Sequence, residues 1–580
     1  MLLFPLKPQP TSLSDGANNP PFSTQSMTDA NAVAQTITQT DKLAEFTLNY
    51  GKTINKHHFD VLAGYSAQES TSDLIQLTAK GFTSDNVEEI SAKGADASFL
   101  TLNSAAKTVN TLLSYFGRAS YNYDSRYFLS GTLRTDGSSR FGPNNKWGTF
   151  PSVSAGWSLS QEHWYNEFLG AQSSVKIRAS WGLSGNNNIP DYRSVQTVAS
   201  PTGAVFGSGT VASAEYANSI QDANLGWEST SQYNLGTDIT ILKGRLSFIA
   251  NYYLSESYNL LFNQPISAVS GTSSILTNLK NSKIQNKGFD FQLDGKVIQG
   301  RDFNLGLSGN ISFNRNKVLN MGGASTIYTA GAERSYITSI TEQGQPVGMF
   351  YGYKVAGQVT AQNIKTVANS SFSTTPLKVG DLYFEDLNHD GVINSADRQI
   401  IGSPYAKFTY GFALNASYKA FDFRAAFNGS YGNKILDGQD YYLYNGEGSG
   451  NQYALESDPN VLNYPPSRAG SQSNSTRLSS FYIQDGSYLR ATEISAGYTI
   501  PKSLVKRLKV ENIRFYAAVS NAFTLTKYRG YNPDVDYGYN QYNTGTNTTG
   551  SNASANLAPG VDYGGYPLAR TYSLGLKVTF

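Results

Sequence analysis

The sequence predicts an all-β fold, a transmembrane antiparallel β-barrel with long loops on one rim. Three observations lead there. Segments about ten residues or longer alternate between apolar and polar side chains. The connections between them are alternately tight and long. A chain of 580 residues, with 13% aromatic but only 39% hydrophobic side chains, has no run near the roughly 18 apolar residues of a transmembrane helix. Mean hydropathy of −0.36 would suit a soluble all-β protein. A membrane barrel also keeps its average polar, because only alternate residues of each strand face lipid.

Strands are expected near 42–52, 56–67, 109–122, 126–136, 150–160, 174–184, 227–241, 245–260, 284–299, 302–315, 406–419, 421–432, 486–500, 511–526 and 568–580. The last shows the pattern: Tyr572, Leu574, Leu576 and Val578 share one face, and Thr571, Ser573, Gly575 and Lys577 the other. In "AKFTYGFALNASYK", Phe408, Tyr410, Phe412 and Leu414 oppose Thr409, Gly411 and Asn415. In "GRLSFIANYYLS", Leu246, Phe248, Ala250 and Tyr252 lie together. Common globular strands have about five or six residues; a strand tilted through a bilayer needs about nine to eleven.

Tight connections fall at Asn55, Asp124–Arg126, Lys243–Gly244, Gly300–Arg301, Ala420 and Lys502–Lys509, with 161–173, rich in helix formers, on the same side. Between them lie long connections at 68–108, 137–149, 185–226, 261–283, 316–405, 433–485 and 527–567. A barrel with periplasmic turns and extracellular loops requires this alternation. A soluble sandwich or solenoid does not. Residues 1–41 read as a polar lead-in, part of an extracellular loop or disordered. Fifteen strands starting on a downward stroke are an odd set for a bacterial barrel, so further strands are expected upstream.

Composition narrows the chemistry. A net charge of +2 gives no nucleic-acid footprint. There is no cysteine, hence no thiol nucleophile or cysteine-based zinc site. His57, His58, His163 and His389 lie apart, and no H-E-x-x-H, G-x-S-x-G or Walker pattern occurs. No enzymatic activity is expected.

Two stretches suggest binding. "DLNHDGVINSADRQIIG" spaces Asp386, Asn388, Asp390, Asn394 and Asp397 as calcium ligands, with the Val392 carbonyl at position seven and Gly391 at the sharp turn. "GDLYFE" before it reads as a strand, which argues against a helix–loop–helix sensor. The expectation is a structural Ca2+ pinning the 316–405 loop, set against an Asx-rich turn. Tyrosines cluster in "DYYLYNGEG" (Tyr441, Tyr442, Tyr444) and "YRGYNPDVDYGYNQYN" (Tyr528, Tyr531, Tyr537, Tyr539, Tyr542). Their amphipathic rings suit sugars or peptides, with Tyr441, Tyr442, Tyr444 and Tyr531 as candidate ligand contacts. The alternative is an aromatic girdle with loop self-packing.

Seven segments in order carry a family resemblance: Tyr127–Trp164 ("YFLSGTLRTDGSSRFGPNNKWGTFPSVSAGWSLSQEHW"), "KIRASWGLSGNNNIPDY", "NLGWESTSQYNLGTDITIL", "NKGFDFQLDG", "GDLYFEDLNHDGVINSADRQIIGSPYAKFTYGF", "DGSYLRATEISAGYTIP" and "NAFTLTKYRGYNPDV". The chain resembles the SusC/RagA family of TonB-linked outer-membrane transporters from about residue 42 onward. The resemblance implies a 22-stranded barrel around an N-terminal plug, and residues 42–580 match its last fifteen strands. Signal peptide, TonB-contacting segment and plug have no counterpart here, as expected of a C-terminal barrel portion. It further implies a Gram-negative, Bacteroidetes-type outer membrane, uptake of a glycan or peptide, a SusD-like surface lipoprotein, and coupling to the TonB complex through the N-terminal region. A surface-binding or adhesin-type barrel without transport is the alternative function.

Overall fold

In the computed structural model, residues 30–82, 101–169, 173–199, 202–206, 210–213, 216–217, 219–267, 269, 272, 274–323, 326–330, 337–371, 376–443, 477–505, 510–535, 557–562, 564–565 and 567–579 are described. Fifteen of the strands form one antiparallel sheet in strict chain order. They are β1 (Ala30–Ile54), β2 (His57–Phe82), β3 (Thr101–Tyr123), β4 (Tyr127–Ser138), β5 (Trp147–Ser158), β6 (Ser174–Asn186), β7 (Glu228–Ile241), β8 (Leu246–Pro265), β9 (Ser274–Gln299), β10 (Phe303–Met321), β11 (Phe408–Tyr418), β12 (Phe421–Tyr431), β13 (Tyr488–Thr499), β14 (Asn512–Thr526) and β15 (Thr571–Thr579). Each fifteen-strand expectation has its counterpart.

Strand ends differ from expectation where β8, β9 and β10 run into the expected 261–283 and 316–405 connections, and again near the N-terminus. β1 begins at Ala30, inside the expected polar lead-in 1–41; residues 1–29 lie outside the described residues. β2 and β3 also run beyond their expected ends into the 68–108 connection. These extensions pair polar residues, such as Gln39 with Ser72 and Thr38 with Asp73. A ladder in water needs no apolar face, so hydrophobic alternation stops before the strand does.

The tight connections share one rim and use left-handed backbone: Asn55 (φ 52), Asp124 (φ 52), Ser125 (φ 55), Lys243 (φ 59) and Lys419 (φ 52). Such turns match the twist of the strands they join. At this rim Lys56 reaches Asp124 at 2.8 Å. Glu162 accepts from Tyr127 Oη at 2.6 Å and Trp157 Nε1 at 3.0 Å, just ahead of a short helix, His163–Leu169. The other rim carries the long connections, which fold into small sheets of their own.

The two faces of the sheet differ as alternation demands. Phe46, Tyr65, Tyr115, Leu129, Leu235 and Phe412 are exposed on one face, and Leu574 is 89% exposed. No aqueous surface tolerates so continuous an apolar wall. The ladder places Phe412 opposite Phe427, and Ala517 opposite Leu574. The opposite face is polar and cross-linked: Arg178 donates to Asp238 from Nε at 2.8 Å and from Nη2 at 2.7 Å, and Arg514 Nε to Asp422 at 2.9 Å. Gly429 stays small because a Cβ there would sit 2.5 Å from the Tyr410 ring and the Tyr488 carbonyl.

This arrangement predicts opposite tolerance on the two faces. In urea titrations of the chain in lipid vesicles, Phe412→Arg should cost about 2–4 kcal/mol, the range for a cation at mid-bilayer. Ser308→Arg, on the polar face beside Asp294, should stay within about 0.5 kcal/mol. Equal costs would contradict the assignment of faces.

Candidate functional site

The loop rim holds the sequence-expected binding residues. The calcium-like loop follows a short strand, Leu382–Phe384, as expected, and leads through Val392–Ile393 and a 3-10 turn, Ser395–Asp397, into the strand Arg398–Gly402. Its side chains form a ladder of turns onto the backbone. Asp386 Oδ2 accepts from Gly391 N at 2.8 Å, Asn388 Oδ1 from Asp390 N at 3.1 Å, and Asp390 Oδ1 from Val392 N at 2.8 Å. Asn394 Oδ1 accepts from Ala396 N at 2.9 Å, while its amide donates to the Val392 carbonyl at 3.1 Å. Asp397 is fully buried and accepts from Leu387 N at 2.9 Å and Asn394 N at 2.7 Å. Asp386 Oδ1 is buried without a hydrogen-bond partner. Gly391 sits at φ +81, where a side chain would strain the turn.

Among the described residues, no three His, Asp or Glu side chains are gathered as a metal-binding group. The six expected ligands are thus brought into one turn by backbone hydrogen bonds. Ile393, which sequence reasoning passed over, anchors this turn: it is fully buried against Tyr353 and Phe384, whose rings stack at 4.9 Å.

The tyrosines divide. Tyr531 is exposed, as a ligand contact must be. Tyr441 and Tyr442 belong to a short helix, Gly438–Leu443, but their side chains, with Tyr444, Tyr537, Tyr539 and Tyr542, lie outside the described residues. Tyr528 is buried and donates to Asp562 Oδ2 at 2.6 Å, so its part is structural.

Asp562 belongs to a clasp with no local sequence signal. Strand Val561–Asp562 pairs in parallel with strand Lys434–Asp437, joining two loops more than a hundred residues apart. Asp437 and Asp562 are both nearly fully buried. Gln484 donates to Asp437 at 2.5 Å and to Asp440 at 3.2 Å, and Arg529 reaches Asp440 at 2.7 Å. Burial, together with the carboxylates of Asp440 and Asp562, pushes the Asp437 carboxyl up to about 7, against the Asp440 backbone N–H and Arg529. Burial, followed by the carboxyl groups of Asp437, Asp562 and Asp440, pushes the Tyr528 phenol up as well.

A raised carboxyl stabilises the clasp fully at low pH, and that contribution is lost as pH rises through about 7. Hydrogen exchange, corrected for intrinsic rate, should show Lys434–Asp437 and Val561–Asp562 opening at least roughly tenfold more at pH 8.5 than at pH 5.5. Asp437→Asn should flatten that dependence. Equal opening at both pH values would contradict a protonated Asp437.

Comparison with known proteins places this architecture. The family model described as "TonB dependent receptor-like, beta-barrel" matches residues 9–522. The chain is 31% identical over 552 residues to TonB-dependent receptor P3 of Formosa agariphila, covering 93% of this chain and 52% of that protein. It is 29% identical to TonB-dependent receptor SusC of Bacteroides thetaiotaomicron, covering 92% of this chain and 49% of that protein. It thus spans about half the length of these relatives. The fold is that of the RagAB peptide transporter structure, with a TM-score of 0.75 at 23% identity over 95% of this chain and 56% of that one. A two-faced meander whose long connections share one rim, matched by the family model over most of its length, makes this chain a member of the TonB-dependent receptor β-barrel family.

Proposed function

We propose that this chain is the barrel portion of an outer-membrane importer of the SusC type, in a Bacteroidetes-type Gram-negative cell, taking up an oligosaccharide or a peptide. The observation that carries this reading is the two-faced sheet. Its apolar side suits outer-membrane lipid, and its polar side suits a hydrated path for a hydrophilic ligand. A SusD-like surface lipoprotein would deliver the ligand at the loop rim, where Tyr531, Tyr441, Tyr442 and Tyr444 are its proposed contacts. Energy would come through TonB, acting on the plug that the complete importer holds inside its barrel. No catalysis is assigned to the chain.

Calcium is the second element of the reading. Carboxylate, amide and carbonyl oxygens are the hard ligands that Ca2+ takes, and Asp386 Oδ1 is already buried and unpartnered. Asp386, Asn388, Asp390, Asn394 and Asp397, with the Val392 carbonyl, would hold the ion. It would offset the repulsion among the three carboxylates and brace the 316–405 loop. Asp at position twelve is shorter than the usual Glu, which favours modest affinity.

Two measurements test these statements. Cells carrying the gene within its complete importer should accumulate labelled malto-oligosaccharides or labelled peptides, and a protonophore should abolish that accumulation. Uptake that persists without the proton-motive force would sink the importer reading. Calorimetry on the chain should detect one Ca2+ with a Kd on the order of 10⁻⁴ to 10⁻³ M. Asp390→Ala should weaken it at least roughly tenfold and speed proteolysis within 316–405 while sparing the fifteen strands. No heat on titration would leave the segment an Asx-rich turn.

A further inference from the structure

A cavity of about 910 Å³ opens on the polar face of the sheet, at its loop rim. That volume lies in the range of small-ligand sites. The cavity reaches from Leu74 on β2 and Thr108 on β3 to Val318 and Met321 on β10, so it spans the inner side under the long connections. Two apolar clusters flank it. Phe141, Ile189 and Leu225 are buried together, with Leu261 and Leu276 packed on them. Val318, Met321 and Val347 form the other, with Ile284, Ile327 and Leu557 packed on it.

Between the clusters the wall is polar, with Asn188, Asn263, Asn320 and Thr341 beside four charged groups. Arg140 is neutralised by Asp191, 2.7 Å from its Nε. Glu228 accepts from Leu261 N at 3.1 Å and Asn186 Nδ2 at 3.4 Å. Arg193 also lines the cavity, half-buried, with no hydrogen bond or ion pair among the described residues. A guanidinium beside an apolar wall with no carboxylate of its own is a site for one from a ligand.

We propose that this cavity binds a short peptide with aliphatic side chains, held by its terminal carboxylate at Arg193. This deepens the importer reading and rests on it for its biological role. The aliphatic wall accepts leucine- or valine-like side chains, and Glu228 across the same wall offers the complement to a terminal ammonium. A glycan fits poorly. Phe262 is the aromatic among the lining residues for a sugar ring to stack on, and a neutral sugar brings no carboxylate to Arg193. A fatty acid matches the apolar wall and Arg193 but leaves Glu228 and Asn186 facing hydrocarbon.

Calorimetry of the 580-residue chain, folded in detergent micelles, tests this with four probes: trileucine, its C-terminal amide, maltohexaose and octanoate. Trileucine should bind at least tenfold more tightly than its amide. Arg193→Ala should weaken trileucine at least tenfold and erase the preference for the acid, while Arg193→Lys should keep the preference. Circular dichroism verifies that each variant retains its strands, which is expected because Arg193 has no hydrogen bond or ion pair among the described residues to lose. Equal affinity for acid and amide, no binding of trileucine, or octanoate binding as tightly as trileucine would overturn the proposal. Maltohexaose binding in place of trileucine overturns the peptide class yet leaves the importer reading standing, since the protonophore experiment tests that separately.

Discussion

Hydrocarbon offers no partner for a backbone amide, and that constraint organises the whole molecule. A segment crossing lipid must pair every N–H and C=O within protein. Here β2 to β14 each pair with a neighbour on both sides. The length of the strands, their strict chain order and the position of their turns follow from it. Each crossing is antiparallel to the last, so every second connection returns to the same rim. Tight turns suffice on one side, where positive-φ residues such as Asn55 and Lys419 reverse the chain in the fewest residues. The other side is released from economy and carries the long segments.

At the loop rim a different balance holds. Water is present, so backbone groups need no continuous ladder, and small clusters of side chains hold the segments instead. Tyr353, Phe384 and Ile393 fasten the calcium-like turn. Phe350, Leu436, Leu478, Tyr482 and Val561 gather residues from three connections into one core. Beside that core, burial and the neighbouring carboxylates of Asp440 and Asp562 raise the cost of ionising Asp437. A buried carboxyl of this kind is tolerable only while it keeps a proton or an exact set of donors. Gln484, Arg529 and Tyr528 supply those donors. The clasp joins loops that leave the sheet from non-neighbouring strands, so it also fixes how the mouth is shaped.

The sequence displayed what lipid demands and hid what the loops decide. β11 stands at Phe408–Tyr418, against a reading of 406–419, because its alternation is enforced by two solvents. β1 starts twelve residues before its reading of 42–52, because pairs such as Gln39 with Ser72 carry no such enforcement. The spacing of Asp386, Asn388 and Asp390 was legible because each side chain bonds backbone two to five residues on. Tyr528 looked like its neighbour Tyr531. Its burial depends on Asp562, thirty-four residues away, and on a strand pair that no local pattern announces. Arg193 had no signal at all. Its interest lies in its having no hydrogen bond or ion pair among the described residues.

The sheet's own parity sets a last condition. β1 and β15 are its two edges, and with fourteen antiparallel steps between them they run in the same direction. Antiparallel pairing therefore cannot join one edge to the other. An all-antiparallel barrel containing these fifteen strands must place an odd number of further strands between β15 and β1. The total is then even, as bacterial barrels are built. Any strand that meets Leu574 and Leu576 at the β15 edge must continue the apolar face, because a one-residue slip would turn its polar side chains into lipid. Register at that seam is thus fixed by the same two-solvent alternation that fixes every seam within the sheet.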